Sequence, residues 1–126
     1  MTKEELIARN RKFVIEVFRL MDVLPNNRMY DGVVRQLVRS SSSVGANYRA
    51  ACRAKSTADF INKLKIVEEE ADETAYWLDL LESMDTGMNK ERIQLLLKES
   101  NELVSIYSAS LITIKNKVAD SKNRTS

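Results

Sequence analysis

A chain of 126 residues, 44% hydrophobic and 30% charged, has the size and balance of one globular domain. Three glycines and one proline are too few for the turns of an all-β fold, and the absence of histidine removes the commonest general base and transition-metal ligand. Its single cysteine, Cys52, excludes an intrachain disulfide and a thiolate metal cluster, which points to a reducing cytoplasm. The first residues, Met1-Thr2-Lys3-Glu4-Glu5, carry charge where a signal peptide needs its apolar core, and no apolar run nears the roughly 18 residues of a membrane span.

Taken in chain order, the breakers leave four helical segments. The first, about 3–24, carries Leu6, Phe13, Val14, Val17, Phe18, Met21 and Leu24 on one face and ends at Pro25-Asn26-Asn27. The second covers about 30–53. Its four serines, Ser40 to Ser43, and Gly45 are weak helix formers, so a loop or kink competes with a continuous helix. The phase decides for the helix, since Val33, Leu37, Val44, Tyr48 and Ala51 stay on one face at about 100° per residue. Small residues at Ser41, Gly45 and Ala46 would admit a close-crossing neighbour. The third segment, about 57–85, starts from Ser56 as N-cap with Asp59 at the capping-box position, and repeats Phe60, Leu64, Val67, Ala71, Thr74, Leu78 and Leu81 by fours and threes. Thr86-Gly87 breaks it, and Asn89 opens the fourth, about 90–118, with Ile93, Leu97, Ser100, Val104, Tyr107, Leu111, Ile114 and Val118. Short links between such helices predict an all-α, antiparallel up-down-up-down four-helix bundle over 1–118, followed by a polar, disordered tail at 119–126.

Charge is unevenly placed. Residues 28–65 hold eight Arg and Lys against two carboxylates, whereas 66–102 hold eleven carboxylates against three cations. On the side of the second helix away from its apolar face, Arg28, Arg35, Arg39, Arg49 and Arg53 fall within roughly 80° and extend over about 37 Å. Guanidinium groups so aligned suit a phosphate backbone. The competing outcome is that they pair with the acidic third helix of the same or a neighbouring chain. No aromatic residue interleaves with them, so stacking on single-stranded bases is not indicated.

Glu69-Glu70-x-x-Glu73 with Glu82-x-x-Asp85 imitates the carboxylates of Mg²⁺-dependent nucleotide pyrophosphohydrolases. Both elements lie on one helix here, about 13 Å apart between Glu73 and Glu82, too far to share an ion. A ferritin-like di-iron centre needs histidine, and the glycines are too scattered for a phosphate loop. Cys52 without a base partner reads as a small core residue. Trp77, beside Tyr76 and near Leu80, reads either as core filler or as a subunit contact.

The run from Arg35 through Ser40-Ser41-Ser42-Ser43-Val44-Gly45-Ala46-Asn47 to Ala51, then Arg53-x-Lys55-Ser56-x-x-Asp59-Phe60, then Glu68 to Leu78, resembles the bacterial four-helix bundle proteins encoded in intervening sequences of large-subunit ribosomal RNA genes. The accessory variability protein of diversity-generating retroelements is a relative of that family. Other members commonly read Asn-x-x-Glu-Gly where this chain has Asn47-Tyr48-Arg49-Ala50-Ala51. The resemblance implies a bundle that assembles as a ring-shaped homopentamer, with Gln36, Ser43, Asn47 and Phe60 as structural signature residues. It also implies Arg35, Arg39, Arg49 and Arg53 as basic contacts to structured or ribosomal RNA, or to a nucleic-acid enzyme. The expectation is a cytoplasmic, non-enzymatic, self-associating bundle without cofactor, metal, membrane or small-molecule substrate. Arg28, Arg35, Arg39, Arg49 and Arg53 are its candidate nucleic-acid contacts and Tyr76, Trp77 and Leu80 its candidate subunit interface. A pure protein–protein scaffold is the alternative.

Overall fold

A computed structural model describes residues 1–84 and 89–125. They form α1 (Lys3–Val23), α2 (Arg28–Ala51), α3 (Thr57–Met84) and α4 (Lys90–Thr125). The starts are fixed locally. Thr2 and Glu5 form a reciprocal capping box on α1, and the Asn27 side chain accepts from the Tyr30 amide (3.1 Å) at the head of α2. At α3 the Ser56 hydroxyl accepts from the Asp59 amide (3.1 Å), while the Asp59 carboxylate takes the Lys55 amide and the Lys63 ammonium (2.7 Å). Leu24, forced into extended backbone by the following Pro25, ends the first helix. Asp85, Thr86 and Gly87 lie outside the described residues, as does the end of the predicted third segment.

α2 is continuous through the four serines, and each of their hydroxyls has a partner, three within the helix and Ser40 on Thr74 of α3. Ser41 donates to the Leu37 carbonyl (2.6 Å), Ser42 to that of Val38 (2.5 Å), and the Asn47 amide to both the carbonyl and hydroxyl of Ser43 (2.9 Å each). Three of the four hydroxyls that could have undone the helix are satisfied within it, and the fourth is satisfied by α3.

Contacts run α1–α2, α2–α3, α3–α4 and α1–α4, with none across either diagonal among the described residues, which is an all-α four-helix bundle. Tyr30 meeting Met84 and Ser40 meeting Thr74 make α2 and α3 antiparallel. The α2–α3 seam is the most extensive and α1–α4 the least. Val17, Leu20, Leu37, Leu64, Leu78, Leu81, Ile93 and Leu103 fill the core.

Three features depart from the sequence reading. Of the expected close-crossing positions Ser41, Gly45 and Ala46 only Ser41 is buried, and beside it the Ser40 hydroxyl meets that of Thr74 on α3 at 2.9 Å. Gly45 meets α1 only at ordinary distance, since an added Cβ would lie 3.8 Å from Val14, and Ala46 is exposed. Phe18, expected inside, is 43% exposed, while Leu20 takes the core place. Residues 119–125, expected as a disordered tail, continue α4, exposed through Arg124.

Candidate nucleic-acid interface

The arginines of α2 separate into two environments. Arg39 leans onto α3, where its guanidinium bridges Glu70 (3.0 Å) and Glu73, with Nε on Gln36 (3.2 Å). Glu73 also accepts from the Trp77 indole (3.1 Å). Arg39 and then Trp77 hold the Glu73 carboxyl below the usual carboxylate range, and the same bond raises the Arg39 guanidinium. Arg39 is therefore part of the bundle's own α2–α3 clasp.

Arg28, Arg35, Arg49 and Arg53 are exposed, and among the described residues none has a carboxylate within 4 Å. Arg49 and Arg53 share a shallow hollow with Ala46 and Ala50. A further cation, Arg11 of α1, reaches the same side and lines a groove with Arg49. The stripe read from the second helix alone missed it, because Arg11 belongs to another helix; its signal was an arginine amid the apolar positions Ile7, Val14 and Phe18. Arg9 was missed likewise. It ties α1 to α4 through Glu99 (2.5 Å) and Glu102 (2.7 Å), which keep its guanidinium strongly protonated.

The candidate contact residues on α3 differ among themselves. Tyr76 is 58% exposed, its ring edge-on to Trp77 at 5.1 Å, while Trp77 and Leu80 are half-buried against the core. Cys52 is half-buried at the end of α2 and packs against the core. Tyr48 and Tyr107 meet at 5.6 Å, and burial pushes both hydroxyls far above the usual phenol range. The Tyr107 hydroxyl donates to the buried Asn10, whose amide nitrogen has no partner among the described residues.

Of the pyrophosphohydrolase-like carboxylates, Glu73 is engaged by Arg39 and Trp77, and Asp85 lies outside the described residues. Among the described residues no three acidic or thiol groups gather as a metal-holding set, and no helix is long and apolar enough to cross a membrane.

The family model of the 23S rRNA-intervening sequence protein matches residues 3–109, which takes in all of α1, α2 and α3 and most of α4. The chain belongs to that family. Among solved structures, a protein with unknown function from the S23 ribosomal protein family of Bacteroides thetaiotaomicron VPI-5482 is similar in fold, with a TM-score of 0.77. It is 32% identical and covers 88% of this chain and 98% of its own. No curated protein matches the chain. Within this 23S rRNA-intervening sequence family, the signature positions acquire physical roles in this chain. Ser43 and Asn47 bond each other along α2, Gln36 steadies Arg39, and Phe60 packs at the edge of the core.

Proposed function

We propose that the chain is a cytoplasmic, non-enzymatic bundle that self-associates, as a homopentamer if it follows the resemblance, and offers the outer side of α2 to the phosphates of structured RNA. The supporting observation is that Arg28 and Arg35, with Arg49 at the edge, stand exposed along one side of α2, and Arg53 in the turn just past its end at Ala51 (the helix expected to reach 53 stops there), all without carboxylate partners among the described residues. Ribosomal RNA is the first probe to try, because the family is named for intervening sequences of 23S rRNA. With no aromatic residue among these arginines, the contact is to backbone and shape rather than to base identity.

Binding of a ribosomal RNA duplex at two salt concentrations tests this. Three or four phosphate contacts lower affinity about 40- to 150-fold between about 50 and 200 mM salt. Arg35→Glu with Arg53→Glu abolishes that binding while the scattering mass of the protein is unchanged. RNA affinity that ignores both the salt and the two substitutions overturns the nucleic-acid part. A second reading, a pure protein–protein scaffold, is favoured by the engagement of Arg39 with Glu70 and Glu73. It gains if Arg35→Glu with Arg53→Glu breaks the assembly instead.

A further inference from the structure

The groove beside Arg11 and Arg49 is apolar at its floor. α1 contributes Ile7, Val14, Ile15 and Phe18, and α2 contributes the small residues Ser42, Gly45 and Ala46, enclosing about 470 Å³ open to solvent. α1 is thus apolar on two faces. One is buried, with Leu6, Phe13, Val17 and Leu20; the other presents Phe18 at 43% exposure. Small side chains on α2 make the floor a shelf on which a helix or a ring can lie close. Arg11 and Arg49, neither with a carboxylate partner among the described residues, give it a positive rim.

The same chain carries a surface of opposite character. On the outer side of α3, Glu69, Glu73, Tyr76 and Leu80 follow one another by four, three and four. The apolar side of the groove repeats that spacing as Ile7, Arg11, Val14 and Phe18, so each stripe runs about 16 Å along its helix. Tyr76 projects at 58% exposure, and Ile66 prolongs the stripe at 43%. Exposed Glu69, Asp72 and Asp79 surround the tyrosine, none with a cation partner among the described residues. Cations beside an apolar groove and carboxylates around a projecting aromatic ring are complementary in both charge and shape.

We infer that the α1–α2 groove of one copy receives the Tyr76 face of α3 from a second copy, with Arg11 and Arg49 against Asp72 and Asp79. This rests on the self-association proposed above and names the surfaces that carry it. Among the described residues α1 and α3 make no contact, so the α1–α2 groove of one copy does not meet the outer face of its own α3. Two different patches meet, hence the contact is head-to-tail, which builds a ring when the rotation closes and a filament when it does not. Arg28 and Arg35 do not line the groove and stay free for phosphate, while Arg53 borders it beside Ala46 and Arg49.

A charge swap tests the pairing, read as mass by light scattering and as helicity by circular dichroism. Arg11→Glu with Arg49→Glu reduces the assembly to monomer, and so does Asp72→Lys with Asp79→Lys. The chain carrying all four substitutions regains the wild-type mass, and an equimolar mixture of the two variants associates again in alternating copies, which closes rings of even number only. Tyr76→Ala weakens association by about tenfold or more. If wild type associates but either pair of reversals leaves its mass unchanged, or neither the mixture nor the four-substitution chain recovers, the pairing is overturned while self-association stands. Should the four-substitution chain lose helicity, the mixture decides alone. A wild-type chain that remains monomeric overturns the self-association reading and the pairing with it.

Discussion

On its α3 side, α2 meets its neighbour through groups that complete one another: Ser40 with Thr74, and Arg39 with Glu70 and Glu73. On its α1 side, a few residues round the same helix, it presents Ser42, Gly45 and Ala46 to an open groove and leaves Arg49 without a counter-charge among the described residues. The difference separates what arginine does on one helix. Where a carboxylate from the adjacent helix arrives at the right height, the guanidinium belongs to the fold; four residues earlier, at Arg35, none arrives among the described residues and the charge stays exposed. A basic stripe on a wheel is therefore an upper bound on a binding surface, trimmed by whichever neighbour packs beside it.

The contrast is broken most directly by truncating one side chain on each flank. Leu37→Ala, at a fully buried position of the core, costs about 2–5 kcal/mol, since it removes buried methyl groups and leaves a cavity. Phe18→Ala on the open flank costs under about 1 kcal/mol in the folding of the monomer, because the ring is already partly in water. Urea titrations of both variants at low protein concentration measure the pair. A Phe18→Ala cost matching that of Leu37→Ala would make the groove part of the core rather than a surface.

The buried polar pair between α1 and α4 sharpens the picture at a smaller scale. Tyr107→Phe takes the hydroxyl from the Asn10 carbonyl oxygen, in a place where the amide nitrogen already lacks a partner. Losing the last bond to a buried amide costs about 1–3 kcal/mol. Adding Asn10→Leu to Tyr107→Phe removes the stranded group and returns most of that loss. If the double variant is no more stable than Tyr107→Phe alone, the amide was not the source of the cost.

Most of the bundle was legible in the pattern. The a/d positions of α3 from Leu64 to Leu81 are buried as their spacing implies, and the phase of α2 carried through residues whose propensity argued otherwise. Propensity misleads at Ser40 to Ser43 when hydroxyls are counted only as rivals of the helix; here Ser41 and Ser42 bond to its own carbonyls, Ser43 to Asn47 one turn on, and Ser40 to Thr74 of α3. What the pattern could not resolve lies between helices. Phe18 is a different case, since the wheel itself separates it: Leu6, Phe13, Val17, Leu20 and Leu24 share one face of α1, and Phe18 lies about 100° round from Val17. Arg35 and Arg39 are one turn apart and identical in kind, and only Glu70 and Glu73 tell them apart. Arg11 joins Arg49 across a gap of more than thirty residues, beyond the reach of any single-helix wheel.

The weakest effect probes the clasp itself. Glu73 titrates below the usual carboxylate range because its charged form is held first by Arg39 and then by Trp77, and Asp59 does so chiefly through Lys63. Unfolded, both return to about 4. A carboxylate bound more tightly in its charged form stabilises the fold at any pH above its unfolded value. That contribution disappears as pH falls through the folded value, since the proton then displaces the cation. Arginine remains charged throughout, so the loss is the carboxylate's alone. The melting temperature of the wild type should accordingly fall more between about pH 5 and pH 3 than that of Glu73→Gln, which has no such charge to lose. Because Arg39 is 48% exposed, solvent screens the pair and the difference is the smallest of those described. Parallel acid profiles for the two proteins would mean that the Arg39 contact adds nothing to the fold, and that Arg39 is as available to a phosphate as Arg35.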